Sequence, residues 1–444
     1  MKQPLSAKIL SPLGVLSVSM ALWLICLVLP INGYTMEQSV EAYFVLFGFV
    51  GAFVGGTLIW RKRPLVKSLP VEGITGSRRA FTILLIVAAV GLALRFYDLL
   101  AVKNFASYAS ASEFRNASLE EGPHAPGILS ALSIALFPVA LVTFVLSLYL
   151  HRSLAPWQRL AAWGCVLAFG GYSVIQGGRS LVLSAAIMIA AVVLLRGLVD
   201  PTKRIESGRL LAFGVGLLLA ACAFIGYSAQ VLQSRLESMG VSDPMPYLDI
   251  IERDRGFYIQ EPFRSMLASD NAAISQSVMT VSWITYYVNH GFFDFSELYE
   301  SERGRQPSGG VLQFAPLIRV LNGFGVDTPS VDETAKRFPK EGLFYTFFGS
   351  VLIDYGVIGG LVYCFMLGAF VQLLWIKARA GSLFSMLLYP FFVSVILHLP
   401  IADMVSGANG VFIIFATCLS YCLVRLMGSK SRAKSPHEMV LRTA

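Results

Sequence analysis

Long apolar runs alternate with short polar segments along most of the chain. A helix that crosses about 30 Å of hydrocarbon needs roughly 20 apolar residues, because it rises about 1.5 Å per residue. About ten runs reach that length. Their approximate centres are Met20, Val50, Val90, Ala140, Leu167, Ile187, Val215, Leu361, Phe391 and Ile414. The pattern therefore predicts an all-α fold, a polytopic bundle of about ten transmembrane helices.

Lysines and arginines concentrate in every second polar segment, and acidic residues concentrate in the others. The basic set is Lys2, Lys8, Arg61, Lys62, Arg63, Lys67, Arg78, Arg79, Arg152, Arg159, Arg196, Lys203, Arg204, Arg209, Lys377, Arg379, Arg425, Lys430, Arg432 and Lys434. Because short cytoplasmic loops carry the excess of Lys and Arg, we predict that these segments are cytoplasmic. Ten helices then place both termini in the cytoplasm.

The longest polar segment runs from about Gln230 to Gly342 and falls on the outer side of this topology. It holds ten Lys or Arg and fifteen Asp or Glu residues, so it is too polar to lie in lipid. Because a structureless loop of this length is improbable, we predict several short helices that fold back on the bundle, some in the membrane interface. The predicted units are 1–229 with seven helices, 230–342 as outer loop, 343–427 with three helices, and 428–444 as a basic cytoplasmic tail.

The composition agrees with a surface that faces lipid. Hydrophobic residues make up 55% of the chain and charged residues 14%, against about a quarter charged in soluble domains. The net charge of +8 arises in short loops and the tail, so topology explains it and no nucleic-acid partner is expected. The six cysteines lie in apolar runs without metal-ligand spacing. The DxD, HExxH, P-loop and GxSxG signatures are absent, so we expect chemistry without a metal or another cofactor.

Ionisable residues inside the apolar runs cluster near the predicted outer ends of the helices. They are Arg95, Asp98, Arg179, Asp354 and His398. Such a residue costs a few kcal/mol in a membrane, so it usually faces a partner or an aqueous cavity. Their shared depth predicts a polar vestibule that opens outward beneath the long loop.

Each of these residues also has a structural interpretation. Arg95 and Asp98, three residues apart on one helix face, can pair with each other, and we favour that pairing. Arg179 lies in the turn Gly177-Gly178-Arg179-Ser180, where it either binds an anion at a close backbone approach or extends to the membrane surface. His398, close to Pro400, is typical of a buried interfacial histidine.

Two stretches resemble the oligosaccharide repeat-unit polymerases, the Wzy-type O-antigen polymerases of bacterial envelopes. One is the Gly177–Ser180 turn before a wholly apolar run. The other is the aromatic-Thr stretch Gly342–Gly349 followed by Asp354-Tyr355-Gly356-Val357-Ile358-Gly359-Gly360, similar to the family's Asp-aromatic-Gly-x-x-Gly segment. Many members carry Phe at the position of Tyr355. The layout, with one large outer loop in the C-terminal half, is also similar, whereas motif similarity covers about 30 residues.

The resemblance implies a glycosyltransferase at the outer face of the bacterial plasma membrane, acting in O-antigen, capsule or exopolysaccharide synthesis. The donor would be a growing chain on undecaprenyl pyrophosphate. A sugar hydroxyl of a single lipid-linked repeat unit would attack its anomeric carbon, and undecaprenyl pyrophosphate would leave. A flippase and a chain-length regulator would be partners in the same machinery.

The chemistry that the resemblance implies needs cations at the leaving group. Negative charge grows on the pyrophosphate in the transition state, and guanidinium forks bind phosphate bidentately. Arg179 is the first candidate for this role. The other candidate substrate-binding arginines are Arg95, Arg255, Arg264, Arg319 and Arg337.

The acceptor hydroxyl needs a base or an oriented proton acceptor. Asp354, Glu341 and His290 are the candidates, without a ranking among them. Trp283 and Tyr286 are candidates for stacking on sugar rings, and an aromatic belt at the membrane interface is an equally good interpretation of both.

Three other functions fit parts of the pattern. An O-antigen ligase-like transferase would share the lipid-linked donor and the outer loop. A flippase or transporter for lipid-linked sugar would have inverted repeats and ionisable groups near the midplane, which the uncharged centres of these runs disfavour. A non-catalytic assembly protein of the polysaccharide machinery is the third.

Overall fold

The computed structural model describes the bundle and much of the outer region. The described residues are 5–35, 37–60, 77–108, 113–114, 128–176, 180–200, 226, 230, 249, 252–253, 255–269, 271–323, 325–340 and 346–429. The helices are α1 (Leu5–Ile9), α2 (Pro12–Val28), α3 (Val40–Ile59), α4 (Ser77–Tyr97), α5 (Ile128–Leu136), α6 (Val139–Tyr149), α7 (Pro156–Ile175), α8 (Ser180–Val199), α9 (Glu261–Leu267), α10 (Ala272–Glu302), α11 (Ala315–Gly323), α12 (Val331–Ala335), α13 (Phe347–Arg379), α14 (Leu383–His398) and α15 (Ala408–Ser429). The two strands are β1 (Asn32–Tyr34) and β2 (Phe257–Ile259).

Six helical segments within the described ranges are long and apolar enough to cross a membrane. They are Val40–Ile59, Arg78–Val102, Ile128–Tyr149, Ser180–Val199, Phe347–Arg379 and Gly410–Met427. The helices α2 and α14 are apolar but shorter. Nine of the ten predicted centres fall in helices, and Val215 lies outside the described residues. The chain is thus compatible with an all-α membrane bundle, and the total of about ten spans is not confirmed.

The helices α3 and α13 pack against each other at unusually close range because glycines face the partner backbone. A Cβ added at Gly56 would collide with the carbonyl oxygen of Phe365, and one added at Gly368 would collide with that of Phe53. Small residues allow such close approach between membrane helices, where packing rather than hydrophobic burial drives association.

Replacing Gly56 with alanine is therefore expected to destabilise the bundle, while alanine at Gly51 is expected to be neutral. A Cβ at Gly51 meets nothing within 4 Å, although both glycines lie in α3. Overpacking of this kind costs about 1–3 kcal/mol. Thermal unfolding of the detergent-solubilised protein measures the difference, and equal midpoints for the two variants would show that the close contact is absent.

The helix α13 is broken near its start. Gly356 has φ 65° and ψ −170°, a backbone conformation that favours glycine, and it separates a short first segment from the long remainder. The hydroxyl of Thr346 accepts a hydrogen bond from the Gly349 N–H and caps the first segment. That segment, Phe347 to Asp354, is buried throughout. The Asp-Tyr-Gly motif thus sits at a kink inside the protein, not at the first turn of a straight helix.

The helix α14 packs beside α2 and ends near the middle of the length of α2. The Tyr389 hydroxyl donates to the Leu10 carbonyl, and the Ser19 hydroxyl donates to the Leu397 carbonyl at 3.0 Å. The two helices therefore run in the same direction, and α14 stops level with the middle of α2. The connection to α15, residues 399–407, consequently enters the bundle, where irregular backbone needs polar partners.

The outer region contains one long helix as well as short ones, which differs from the prediction. The helix α10 has 31 residues and packs against α2, α3 and α13. Strand β1, from the connection between α2 and α3, pairs antiparallel with β2, with Asn32 opposite Ile259. A small apolar core under this sheet joins β2, α9 and α10 through Phe257, Leu267 and Tyr286. We call the sheet, α9 and α10 the outer layer after their predicted side of the membrane. Phe295 and Leu298, later in α10, belong to the main core of the bundle.

Candidate functional site

A polar group centred on His290 lies in the middle of α10. The His290 Nδ1 atom is 3.1 Å from Oδ2 of Asp294, one turn further along the same helix. The Lys340 ammonium is 2.6 Å from Oδ1 of Asp294 and donates to the Arg255 carbonyl at 2.7 Å. These four residues, with Tyr286 and Tyr34, are called the His290 group below. Three separate parts of the outer region meet in it.

The His290 group is largely enclosed. His290 is 1% exposed, and the side chains of Asp294 and Lys340 are 14% and 10% exposed. Burial raises the pKa of the Tyr34 hydroxyl, which the side chains of Asn289 and Asn32 partly offset. Burial also raises the pKa of Tyr286 well above its ordinary value. Both phenols are therefore neutral at physiological pH and act only through hydrogen bonds.

The aromatic candidates pack inward. The ring of Tyr286 is fully buried and stacks on Phe257 at 4.3 Å. Trp283 is half-buried and meets the edge of the same Phe257 ring at 6.2 Å. This arrangement favours a role in the core of the outer layer over an open platform for sugar rings. The sugar-stacking role remains a prediction.

A second polar group surrounds Asp354, which is completely buried. Its Oδ1 accepts hydrogen bonds from the Ser308 hydroxyl and from the Leu312 N–H at 3.0 Å, and its Oδ2 accepts from the Gln313 N–H at 2.7 Å. The backbone adds bonds from Ser308 to Ile353 and from Gly309 to Asp354. We call this arrangement the Asp354 clamp, because it fastens the segment 308–313 of the outer region to the kink of α13.

Gln313 extends the clamp to the connection between α14 and α15. Its Nε2 donates to Oδ2 of Asp403 at 2.6 Å, and its Oε1 accepts from the Tyr363 hydroxyl at 2.9 Å. The other Asp403 oxygen accepts from the N–H groups of Val405 and Ser406. Burial raises the pKa of Asp403 to about 6, against the lowering effect of its hydrogen bonds from Ser406. Of the five ionisable residues that the sequence predicted to converge, this group contains Asp354, whereas Arg95 and Asp98 pair with each other elsewhere and His398 Nδ1 contacts the Ser394 carbonyl.

Arg95 belongs to a separate group on α4 and α7. It lies 3.4 Å from Oδ2 of Asp98, which confirms the predicted pairing, and its guanidinium lies 5.0 Å from the centre of the Tyr172 ring. Lys103 is 3.8 Å from the same Asp98 oxygen. Burial lowers the pKa of Lys103, partly offset by the charge of Asp98. A π-helical turn at Asp98–Val102 places Lys103 beside Asp98.

Three of the outer arginines are engaged by carboxylates. Arg264 pairs with Glu252 at 2.7 Å and with Asp249, and the hydrogen bond to Glu252 raises the pKa of the guanidinium. Arg319 pairs with Asp332 at 2.8 Å. Arg337 and Glu302 form a two-pronged contact, with Nε 3.0 Å from Oε1. Arg255, another candidate, belongs to the His290 group, because its backbone carbonyl accepts a hydrogen bond from Lys340.

Alanine at Arg337 and alanine at Arg319 are expected to have very different effects on stability. The Glu302 carboxylate is 5% exposed and would lose its main partner, a loss of about 3 kcal/mol for a buried pair. The Arg319 pair is about half exposed on both sides, so its loss costs about 0.5 kcal/mol or less. Chemical or thermal unfolding of the two variants tests this, and similar stabilities would contradict the buried pair.

Two candidates, Arg179 and Glu341, lie outside the described residues. Among the described ones, the sequence missed Asp294, Lys340, Gln313 and Asp403. The spacing of four between His290 and Asp294 was a usable signal for a helical pair. The other partners are distant in the chain. Within the described part of the chain, no group of three His, Cys, Asp or Glu side chains is arranged to hold a metal ion.

No family model matches the chain, and no curated protein matches it at a significant level.

Proposed function

We propose that this protein polymerises lipid-linked oligosaccharide repeat units at the outer face of the bacterial plasma membrane. The donor is a growing chain on undecaprenyl pyrophosphate, and the acceptor is a single lipid-linked repeat unit. The protein spans the membrane several times with both termini in the cytoplasm and works beside a flippase and a chain-length regulator. Its products are O-antigen, capsule or exopolysaccharide.

The observation that carries the proposal is the Asp354 clamp. The sequence segments with the family resemblance end the outer loop and open the next helix. The clamp ties the loop residues Leu312 and Gln313 to the Asp-Tyr-Gly segment by direct hydrogen bonds to a buried carboxylate. A site for a lipid-linked sugar needs such a junction, because the lipid lies in the membrane and the sugar outside it.

The contacts also rank the candidate proton acceptors. Both oxygens of Asp354 are occupied by three donors, so this carboxylate suits anchoring better than proton transfer. His290 keeps one ring nitrogen, Nε2, without a hydrogen-bond partner among the described residues. His290 is therefore our first choice, ahead of Asp354, with Glu341 third because no contact of it is described.

The reaction proceeds as a displacement at the anomeric carbon. The acceptor oxygen forms a bond to that carbon while the bond to the pyrophosphate oxygen breaks. The hydroxyl proton moves to Nε2 of His290, and undecaprenyl pyrophosphate leaves with its negative charge. Arginines from the candidate set, Arg179 and Arg255 first, stabilise that charge.

Deletion of the gene tests the proposal through the surface polysaccharide of the strain. A polymerase deletion leaves surface products of one repeat unit, and plasmid-borne protein restores the long chains. Accumulation of finished polymer on the lipid carrier would instead indicate a ligase. Intermediates held at the cytoplasmic face would indicate a flippase, and either result would overturn the proposal.

A further inference from the structure

We propose that Asp294 and Lys340 position the imidazole of His290, so that Nδ1 carries the proton and Nε2 is the proton acceptor. The inference deepens the proposed function and rests on it. Asp294 and Lys340 are positioning residues, since neither is placed against the substrate.

The tautomer follows from the partner of Nδ1. An ionised carboxylate has acceptors only, so the 3.1 Å contact between Asp294 Oδ2 and His290 Nδ1 requires a proton on Nδ1. The second ring nitrogen is then left with a lone pair. The carboxylate also fixes the ring plane, because Asp294 is one turn away on the rigid helix α10. A base held by a carboxylate on its far nitrogen is the arrangement by which imidazoles act in proton transfer.

Lys340 places a positive charge beside the mostly buried Asp294. A buried carboxylate needs a charged partner and further hydrogen bonds to offset its lost hydration. Lys340 supplies the charge at 2.6 Å, and its contact with the Arg255 carbonyl holds its own side chain in place. The chain Lys340–Asp294–His290 therefore contains a fixed ion pair behind the imidazole.

The unpartnered Nε2 shows which side of the ring is available. A buried polar atom without a hydrogen bond destabilises the folded state, and proteins keep few of them. His290 is 1% exposed, and among the described residues its Nε2 and the nearby Tyr286 hydroxyl both lack a partner. The two rings are 5.8 Å apart. The Nε2 atom of His290 and the Tyr286 hydroxyl can both form hydrogen bonds to a ligand that carries hydroxyl groups. This arrangement fits a ligand site better than a purely structural core.

The polar and charged groups around His290 come from distant parts of the chain. Asp294 on α10 contacts Nδ1 directly, and Lys340 contacts Asp294. Arg255, Tyr287 and Tyr34 act electrostatically on the neighbouring hydroxyl of Tyr286. Asp294 is therefore the charge whose removal changes the contact of the imidazole itself.

The first test is ¹⁵N NMR of the full-length protein in lipid nanodiscs, labelled at histidine. The chain has five histidines, and a His290→Gln variant assigns the signal. We expect the Nδ1–H tautomer in the wild type. In Asp294→Ala we expect the Nε2–H tautomer to become populated, because no carboxylate then accepts the Nδ1 proton. The Nε2–H tautomer in the wild type, or an unchanged tautomer in Asp294→Ala, would overturn the arrangement.

The second test measures initial rates of polymer formation, with detergent-permeabilised membranes from the deletion strain as the source of lipid-linked repeat units. Asp294→Asn should lower kcat by roughly 10²-fold at an unchanged KM for the repeat unit. Asp294→Glu keeps the carboxylate and should restore part of the rate, and Lys340→Gln should lower kcat less than Asp294→Asn does. A purely structural role would lower the amount of folded protein and would not separate Asn from Glu at position 294, and that result would overturn the proposal.

The controls are the exposed pairs of the same region. Asp332→Asn and Lys336→Gln remove the same kinds of charge from surface contacts and should leave both kcat and KM unchanged. If wild-type protein forms no polymer, the proposed function fails, and this role of Asp294 and Lys340 falls with it. The NMR result then still decides whether the ion pair sets the tautomer.

Discussion

Replacing Asp354 with alanine is expected to release the segment 308–313 from the bundle and to abolish activity. The substitution leaves the Ser308 hydroxyl and the N–H groups of Leu312 and Gln313 without their acceptor. Each buried donor left unpaired costs about 1–3 kcal/mol. Together these losses exceed what a surface segment can absorb, so local opening of the outer region should become frequent.

Limited trypsin digestion of the purified variant measures that opening. Arg303 and Arg305 precede the clamped segment and have exposed side chains, 61% and 55%, so cleavage there reports release of the clamp. Asp354→Asn retains one acceptor oxygen and should give an intermediate rate. Asp332→Asn, at an exposed pair, is the matched control. If Asp354→Ala is cleaved at the wild-type rate and still forms normal polymer, the clamp does not hold this segment.

Alanine at His290 is expected to reduce polymer formation by about 10²- to 10⁴-fold, the usual contribution of a general base. The protein should accumulate at a normal level, because His290 makes one side-chain hydrogen bond and leaves no charged partner uncompensated: Lys340 still pairs with Asp294. The loss should therefore appear in the rate and not in the amount of folded protein.

The assay compares initial rates with the membranes of the deletion strain as substrate, together with thermal unfolding of each purified variant. His151→Ala is the control, because His151 is exposed at the end of α6 and lies outside the His290 group. A wild-type rate in a well-folded His290→Ala variant would remove His290 from the mechanism. It would also leave Glu341 as the next candidate base.

The helices of the bundle were predictable because lipid imposes a simple pattern. Apolar runs near Val50, Val90 and Leu361 became α3, α4 and α13, since length and hydropathy alone decide whether a helix can cross a membrane. The pairing of Arg95 with Asp98 was predictable for a similar reason, because the spacing of three places both on one helix face.

The outer layer was not predictable to the same degree. The helix α10 carries Asn289, His290 and Asp294 within an aromatic stretch, so it matches neither an apolar span nor a short surface helix. Its apolar side chains pack against the sheet that β1 and β2 form. Such contacts between distant residues stabilise the helix but leave no local pattern in the sequence.

The Asp354 clamp also depends on contacts between residues that are far apart in the chain. The sequence singled out Asp354 as a possible base, but its partners Leu312 and Gln313 lie about forty residues earlier in the chain. Asp403 looked like an ordinary acidic loop residue, and its burial follows from the early end of α14. Local patterns identified candidate residue types, while the long-range fold determined that Asp354 is an anchor and that His290 keeps a ring nitrogen without a partner among the described residues.

The most direct test of the central claim is reconstitution of the purified protein with lipid-linked repeat units from the deletion strain. The account predicts a ladder of products with two or more repeats and the release of one undecaprenyl pyrophosphate for each new linkage. Products that stay at one repeat, with folded protein confirmed by its thermal unfolding, would contradict the claim that this chain polymerises them.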